Sequence, residues 1–381
     1  MEPKEIYSKT TRHFLSPVAH LLDDSSVTEV MINGADTIYC ERAGKLERIE
    51  GAQFSSKAAL MAAARNIAEY AGRPLSAGRS SVDARLPDGS RVHILLPPAS
   101  RCGVCISIRK FSPTTLDLAR LIELETLTAE AAELLRLAVI GHRNLIVSGG
   151  TGSGKTSLLN ALSTEVDPLE RIVVIEDSSE LQLHQPHTLY LEAQPARPDG
   201  SGQMTIRDLF VESLRMRPDR IVVGEVRRGE ALDLVQSMIS GHSGSMATVH
   251  ASTPRDAAIR LETLSLMSGV ELPIHVARTQ VASAIQIVVQ INRFANGRRR
   301  ICAISECRGL RDDGTYDFAD IYRLTPSTEP TARSTEENTH SPAAAMELSR
   351  TGIVPQFGED LAMTGQLNEA DLTRDLFAEF L

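Results

Sequence analysis

Residues 144–162, NLIVSGGTGSGKTSLLNAL, decide the fold. An apolar run, Leu145-Ile146-Val147, leads into a glycine-rich turn, and the turn opens a segment with helical spacing. Residues 149–156 fit GxxxxGKT, with the preceding strand and following helix that this motif requires. Its glycines let backbone N–H groups converge on phosphate oxygens, and the helix start adds partial positive charge. On this reading Gly150, Thr151, Gly152, Ser153, Gly154, Lys155, Thr156 and Ser157 bind a nucleoside triphosphate. Lys155 reaches the β- and γ-phosphates, and the Thr156 hydroxyl coordinates Mg²⁺.

Three further stretches carry the same signature, a short apolar strand running into a polar turn: RIVVIED (171–177), DRIVVGE (219–225) and SMATVHA (245–251). Strands alternating with helices predict a parallel sheet covered on both faces, with ligands at the carboxyl ends of the strands. Most enzymes with this phosphate turn end the DRIVV-type strand in an Asp that holds Mg²⁺; here that place is Gly224, and Glu225 follows. The charge on a γ-phosphate needs a metal and an oriented water. Glu225 is therefore the candidate base that polarises the attacking water. Glu180 is placed to hold or orient the Mg²⁺ water shell, with Glu176 and Asp177 as supporting metal groups. His250, at the end of its strand, and His242, in the preceding glycine-rich turn, are candidates for hydrogen bonding to the γ-phosphate. For His242 a structural role stands equally open.

Composition excludes some classes. The chain has 381 residues, 42% hydrophobic and 23% charged, enough for about two domains with ordinary cores. The formal charge of −9 argues against a general nucleic-acid binder. No apolar run approaches the ~20 residues of a membrane span, and MEPKEIYSKTTRHFL has no signal-peptide core, so a cytoplasmic location is expected. The five cysteines read as small buried apolar residues. Cys102 and Cys105 form a CxxC, but a zinc site would need them to meet the distant Cys302 and Cys307.

The domain reading is a loose terminus over 1–12, a small α+β domain over 13–112, a linker over 113–127 and the α/β core over 128–325. Within the small domain a helix is expected from about Ser55 to Ala71, and hairpin turns at Asn33-Gly34 and at Pro87-Asp88-Gly89. Thr128 can cap the first core helix, and a late hairpin turns at Asn296-Gly297. A Ser/Thr/Pro/Glu-rich stretch over 326–345 reads as disordered, and the tail 346–381 ends in a docking helix through Leu372, Leu376, Phe377 and Phe380.

GGTGSGKT, IEDSSEL, IVVGEV and GHSGSMATVHA, in this order, resemble the Walker A, Asp, Walker B and His boxes of the ATPases that drive type II secretion, type IV pili and type IV secretion. TEVMING, DARLPDGSRV, SIRKF, LRMRPDRIVVGEVR and GIVPQF resemble the tight-adherence (Flp/Tad) pilus ATPases in particular. Arg228 departs from that pattern, where glycine is usual, and the family's long N-terminal extension is almost absent.

The resemblance implies a RecA-like P-loop ATPase core behind a smaller α+β domain, assembled as a homohexameric ring. It implies ATP and Mg²⁺ as cofactors and inner-membrane platform proteins as partners, and makes the glutamate of GEV the catalytic base. It also implies basic residues acting across a domain or subunit cleft. Candidates are Arg85, Arg91 and Arg109, and also Arg215 and Arg217, for which a helix-end dipole contact is an equal alternative.

The main functional expectation is a motor for pilus assembly or retraction. One alternative is a conjugation or type IV secretion ATPase. Another, of a different class, is a RecA-like nucleic-acid translocase. That last needs a basic channel, and only RFANGRRR is locally basic; it reads better as a hairpin with a solvated cationic edge. No direct nucleic-acid partner and no integral membrane segment are expected.

Overall fold

The structure is a computed structural model that describes residues 3–42, 44–75, 80–111, 116–197, 200–326, 346–358 and 361. It divides into two compact units, Met1–Thr114 and Thr115–Leu381.

The first unit opens with α1 (Pro3–Phe14) and α2 (Ala19–Asp23) and continues through β1 (Val27–Asn33), β2 (Ile38–Arg42), β3 (Lys45–Arg48), α3 (Lys57–Tyr70), β4 (Ser81–Arg85), β5 (Arg91–Leu95) and β6 (Cys105–Arg109). The strands form one antiparallel sheet in the order β3-β2-β1-β6-β5-β4. Alternation along the strands turns Val30, Ile32, Ile38, Ile94, Ile106 and Ile108 to one face, where they pack with Leu60, Ala64 and Ile67 of α3. Ser56 caps α3 by accepting from the Ala59 amide.

The loose terminus expected over 1–12 is replaced by α1. Its residues are mostly polar, with Ile6, Tyr7 and Phe14 at helical spacing. It is held by contacts with α3 that lie far away in sequence, with the Tyr7 ring 5.0 Å from that of Tyr70 and Thr11 Oγ1 donating to Asn66 Oδ1 at 3.0 Å.

The second unit begins with α4 (Leu118–Glu123), inside the stretch expected to be linker. Asp117 caps it, and Leu118 and Leu121 are buried. Next come α5 (Ala129–Ile140), capped by Thr128, then β7 (Leu145–Ser148), α6 (Lys155–Ser163), β8 (Ile172–Glu176) and β9 (Thr188–Glu192). The chain continues through α7 (Ile206–Ser213), β10 (Arg220–Val223), α8 (Glu230–Ile239), β11 (Met246–Val249), α9 (Pro254–Leu266) and α10 (Ile274–Ala284). It closes with β12 (Ile287–Arg293), β13 (Arg299–Leu310), β14 (Tyr316–Pro326) and β15 (Met346–Arg350).

Nine strands make one sheet, β15-β14-β13-β12-β7-β11-β10-β8-β9, and the six from β12 to β9 run parallel. Every residue of β7, β8, β10 and β11 is buried, which is why they read as unbroken apolar runs. One face packs against α4, α5 and α6, the other against α7 to α10. This second unit has the RecA-like α/β fold, and the first, earlier in the chain, is a smaller α+β unit.

β15 extends the sheet by pairing with β14, a long-range partner that the tail's own composition does not announce. The stretch expected to be disordered and the docking helix lie outside the described residues, apart from Pro326 at the end of β14. Among the described residues no helix is long and apolar enough to cross a membrane.

Candidate nucleotide site

Sheet register assembles the site. Ser148 pairs with Val249, and Val223 pairs with Ile175, so Gly149, His250, Gly224 and Glu176 leave the sheet at one edge. Parallel strands point their carboxyl ends the same way, and the four stretches singled out by the sequence meet there.

Gly154 caps α6 at φ +99°, a left-handed conformation that L side chains resist. The turn it closes buries Lys155, whose ammonium donates to the carbonyls of Gly149 at 3.2 Å and Gly150 at 2.9 Å and lies 3.4 Å from His250 Nδ1. An ammonium only donates, so Nδ1 accepts and Nε2 carries the ring proton. That proton is donated to Glu225 Oε1 at 2.9 Å. The other Glu225 oxygen takes Arg227 Nη2 at 2.7 Å, and Arg227 Nη1 reaches Asp177 Oδ2 at 3.1 Å. One chain of contacts thus joins the phosphate turn, β11, β10 and β8.

The charges act together. Burial pushes the Glu225 carboxyl up, but the hydrogen bond from Arg227 and the nearby charges of Arg227 and Lys155 outweigh it and hold the group below its ordinary value. Burial and the Lys155 ammonium lower His250, so the imidazole is neutral at pH 7 and orients Glu225 without neutralising it.

Glu176, expected as a supporting metal group, braces the turn that carries Glu180. It is buried, and its Oε1 accepts from the amides of Glu180 at 2.8 Å and Leu181 at 3.0 Å, shaping the turn that carries Glu180. This explains Gly224: a Cβ there would lie 2.8 Å from Glu176 Cγ and 2.9 Å from Oε1, leaving no room for the usual Asp. Asp177 faces Arg227.

Thr156 Oγ1 donates to Glu180 Oε2 at 3.2 Å, which brings together a hydroxyl and a carboxylate, hard oxygen donors of the kind Mg²⁺ takes. The buried Ser153 hydroxyl finds no hydrogen-bond partner among the described residues, which suits a turn meant to receive an oxygen-rich group. These residues fit Mg²⁺ and a polyphosphate. The exposed Gly150 and Thr151 and the half-buried Gly152 and Ser157 complete the turn.

Other expected residues lie elsewhere. His242 sits before β11, by Ser245 and the Gly244 carbonyl that accepts from Arg220, at the strand end opposite His250. Its separation of eight residues from His250 spans the whole strand, so within the chain it does not meet the phosphate turn. Arg215 and Arg217 likewise precede β10, with Arg215 3.7 Å from Glu212, and lie at the end of that strand away from Glu225. In the first unit Arg85, Arg91 and Arg109 stand opposite one another across β4, β5 and β6, and Arg109 is 3.9 Å from Glu29. Arg228 is exposed; its amide and that of Arg227 donate to Glu230 Oε1, which fixes the loop.

Sequence reasoning missed Arg227, hidden as an ordinary charge after the motif, and Arg299, which donates to the Gly152 carbonyl at 3.1 Å. The basic hairpin is a solvated cationic edge as expected, with the exposed Arg298 and the half-buried Arg300 both paired with the exposed Glu125. The Asn296-Gly297 turn was the available signal, since it returns the chain towards the end of β12, beside β7.

A putative conjugal transfer protein of Mycobacterium tuberculosis is 37% identical over 294 residues, covering 76% of this chain and 83% of the relative. The type IV secretion system protein PtlH of Bordetella pertussis is 34% identical over 320 residues, covering 76% and 93%. The ATPase DotB of Legionella pneumophila has a similar fold, with TM-score 0.53 at 16% identity over 80% of this chain and 82% of that one. The family model for type II/IV secretion system proteins matches residues 12–354, a span that includes all four stretches at the sheet edge, and the chain belongs to that family.

Proposed function

We propose that this chain is a Mg²⁺-dependent motor ATPase of a type IV secretion or conjugation machine, working as a homohexamer at the cytoplasmic face of an inner membrane through platform proteins. The observation that carries the ATPase reading is the contact chain Lys155–His250–Glu225–Arg227–Asp177 at the sheet edge. ATP is the substrate, its phosphates cradled by residues 150–157. Thr156 and Glu180 would hold Mg²⁺, which would supply positive charge to the phosphates.

Glu225, kept ionised by its cations, takes a proton from the water that attacks the γ-phosphorus, and neutral His250 holds the carboxylate in place. Lys155 shares its donors between the turn carbonyls and the phosphates, so it moves as charge develops. Basic residues such as Arg85, Arg91, Arg109, Arg215 and Arg217 would serve across a domain or subunit boundary.

The names of the mycobacterial and Bordetella relatives support the secretion and conjugation reading. A second reading, a tight-adherence pilus motor, is favoured by TEVMING, DARLPDGSRV and LRMRPDRIVVGEVR. Neighbouring genes for prepilins and a prepilin peptidase, against those for a mating pore, decide between them. For the activity, Lys155→Ala and Glu225→Ala should abolish Mg²⁺-dependent ATP hydrolysis while the mass of the assembly in solution is unchanged. Normal turnover by Glu225→Ala would overturn the assignment of the base.

A further inference from the structure

The CxxC has no place in the reading above. Cys102 and Cys105 lie where the chain enters β6, with their sulfurs 3.4 Å apart. Ser100 Oγ stands 3.4 Å from Cys102 Sγ and 3.2 Å from Cys105 Sγ, so one hydroxyl serves both thiols. Gly103, at φ +97°, lets the chain fold back so that residues three apart present their side chains together.

Exposure separates these cysteines from the others. Cys40 is buried, and Cys302 and Cys307 are partly buried with their sulfurs turned towards the carbonyls of Arg300 and Ala282. Cys102 is exposed and Cys105 partly buried behind it. The reading of all five as buried apolar residues therefore fails at Cys102. A metal centre fits poorly, because among the described residues no group of three or more His, Cys, Asp or Glu is placed to hold an ion.

We propose that Cys102 and Cys105 form a redox-active dithiol that exchanges with low-molecular-weight disulfides, Cys102 attacking and Cys105 resolving. The Cys102 thiolate attacks one sulfur of the small disulfide. A bond forms between Cys102 Sγ and that sulfur, the disulfide bond breaks, and one small thiolate leaves. Cys105 then loses its proton to water and attacks Cys102 Sγ, which closes the protein disulfide and expels the second small thiolate. Two electrons pass from the protein to the small molecule, and both thiol protons end on the two small thiols.

The division of labour follows from position. Hydrogen bonds from Ser100 and then Cys105 hold the Cys102 thiol below its ordinary range, while burial pushes the Cys105 thiol above it. The exposed sulfur is thus also the better thiolate. The site lies in the first unit and the phosphate turn in the second, and the proposal does not rest on nucleotide chemistry.

The test incubates the full-length chain with oxidised glutathione at pH 7, alkylates the remaining thiols at intervals and maps them by peptide mass. The wild type is expected to lose both thiols together, giving a peptide short of two hydrogens that links Cys102 to Cys105. Cys105→Ser is expected to stop at a glutathione adduct on Cys102. Cys102→Ser should modify Cys105 at least ~10-fold more slowly, and Ser100→Ala should slow the first step roughly 3–10-fold. Circular dichroism of each variant, matched to the wild type, keeps misfolding apart from chemistry. The proposal is overturned if Cys102 reacts no faster than Cys302, if the wild type stops at the adduct, or if the purified chain carries stoichiometric zinc that blocks the reaction.

Discussion

Gly224→Ala tests why this site lacks the usual aspartate. The added methyl would sit 2.8 Å from Glu176 Cγ and 2.9 Å from its Oε1, closer than real Cβ contacts come. Glu176 cannot swing aside freely, because its carboxylate holds the amides of Glu180 and Leu181. Gly224 cannot retreat either, since its carbonyl accepts from Thr248 Oγ1 at 2.6 Å and its amide donates to Ile175 O at 3.0 Å.

If Glu176 yields, two hydrogen bonds to a charged acceptor are lost, each about 1.5–3 kcal/mol, part of it recovered by water. If the strands yield instead, overpacking costs about 1–3 kcal/mol. Either route gives a net of about 1–3 kcal/mol, which for a unit of this size lowers Tm by roughly 2–12 °C. Because the displaced Glu176 also releases the turn bearing Glu180, ATP hydrolysis should fall with stability.

The assay is a double-mutant cycle in thermal unfolding with Glu176→Ala, which removes the obstacle. The double variant should be more stable than the two single losses added together, by about 1–2 kcal/mol. Additive losses, or a Gly224→Ala variant that melts within 1 °C of the wild type, would refute the packing argument. Gly224→Asp, which supplies the common residue, is expected to be more damaging than Gly224→Ala.

Further outcomes follow from the same contacts. Arg227→Gln removes the cation that does most to keep Glu225 ionised, so the acid limb of the kcat/KM profile for ATP should move to higher pH; an unmoved limb would dissociate Arg227 from the base. Glu170, paired with the fully buried Arg220 and with His142, is held down to about 2 from its ordinary 4.5, against the effect of burial. Its contribution of ~3 kcal/mol is therefore complete above about pH 5 and fades as pH falls from 4.5 towards 2, and Glu170→Gln should destabilise strongly at pH 7 and progressively less in acid, as denaturant midpoints would report. Arg299→Ala loses one exposed hydrogen bond to the phosphate turn, worth about 0.5–1 kcal/mol, and should weaken nucleotide binding roughly 2–5-fold by calorimetry while kcat stays within about twofold.

The sequence by itself determined whatever is written in contiguous residues. Strand, turn and helix over 144–162 lie within one short stretch, so the phosphate cradle and the parallel sheet around it were readable from composition and spacing. The Thr128 cap acts three residues away, and it too was legible. Tertiary structure decided what depends on register between distant strands. It set Glu176 against Gly224 and under the amides of Glu180 and Leu181. It also brought Arg227 between Asp177 and Glu225, and folded a basic hairpin onto the phosphate turn. A side chain's partner across a sheet is fixed by burial of the whole core, and no local spacing encodes it.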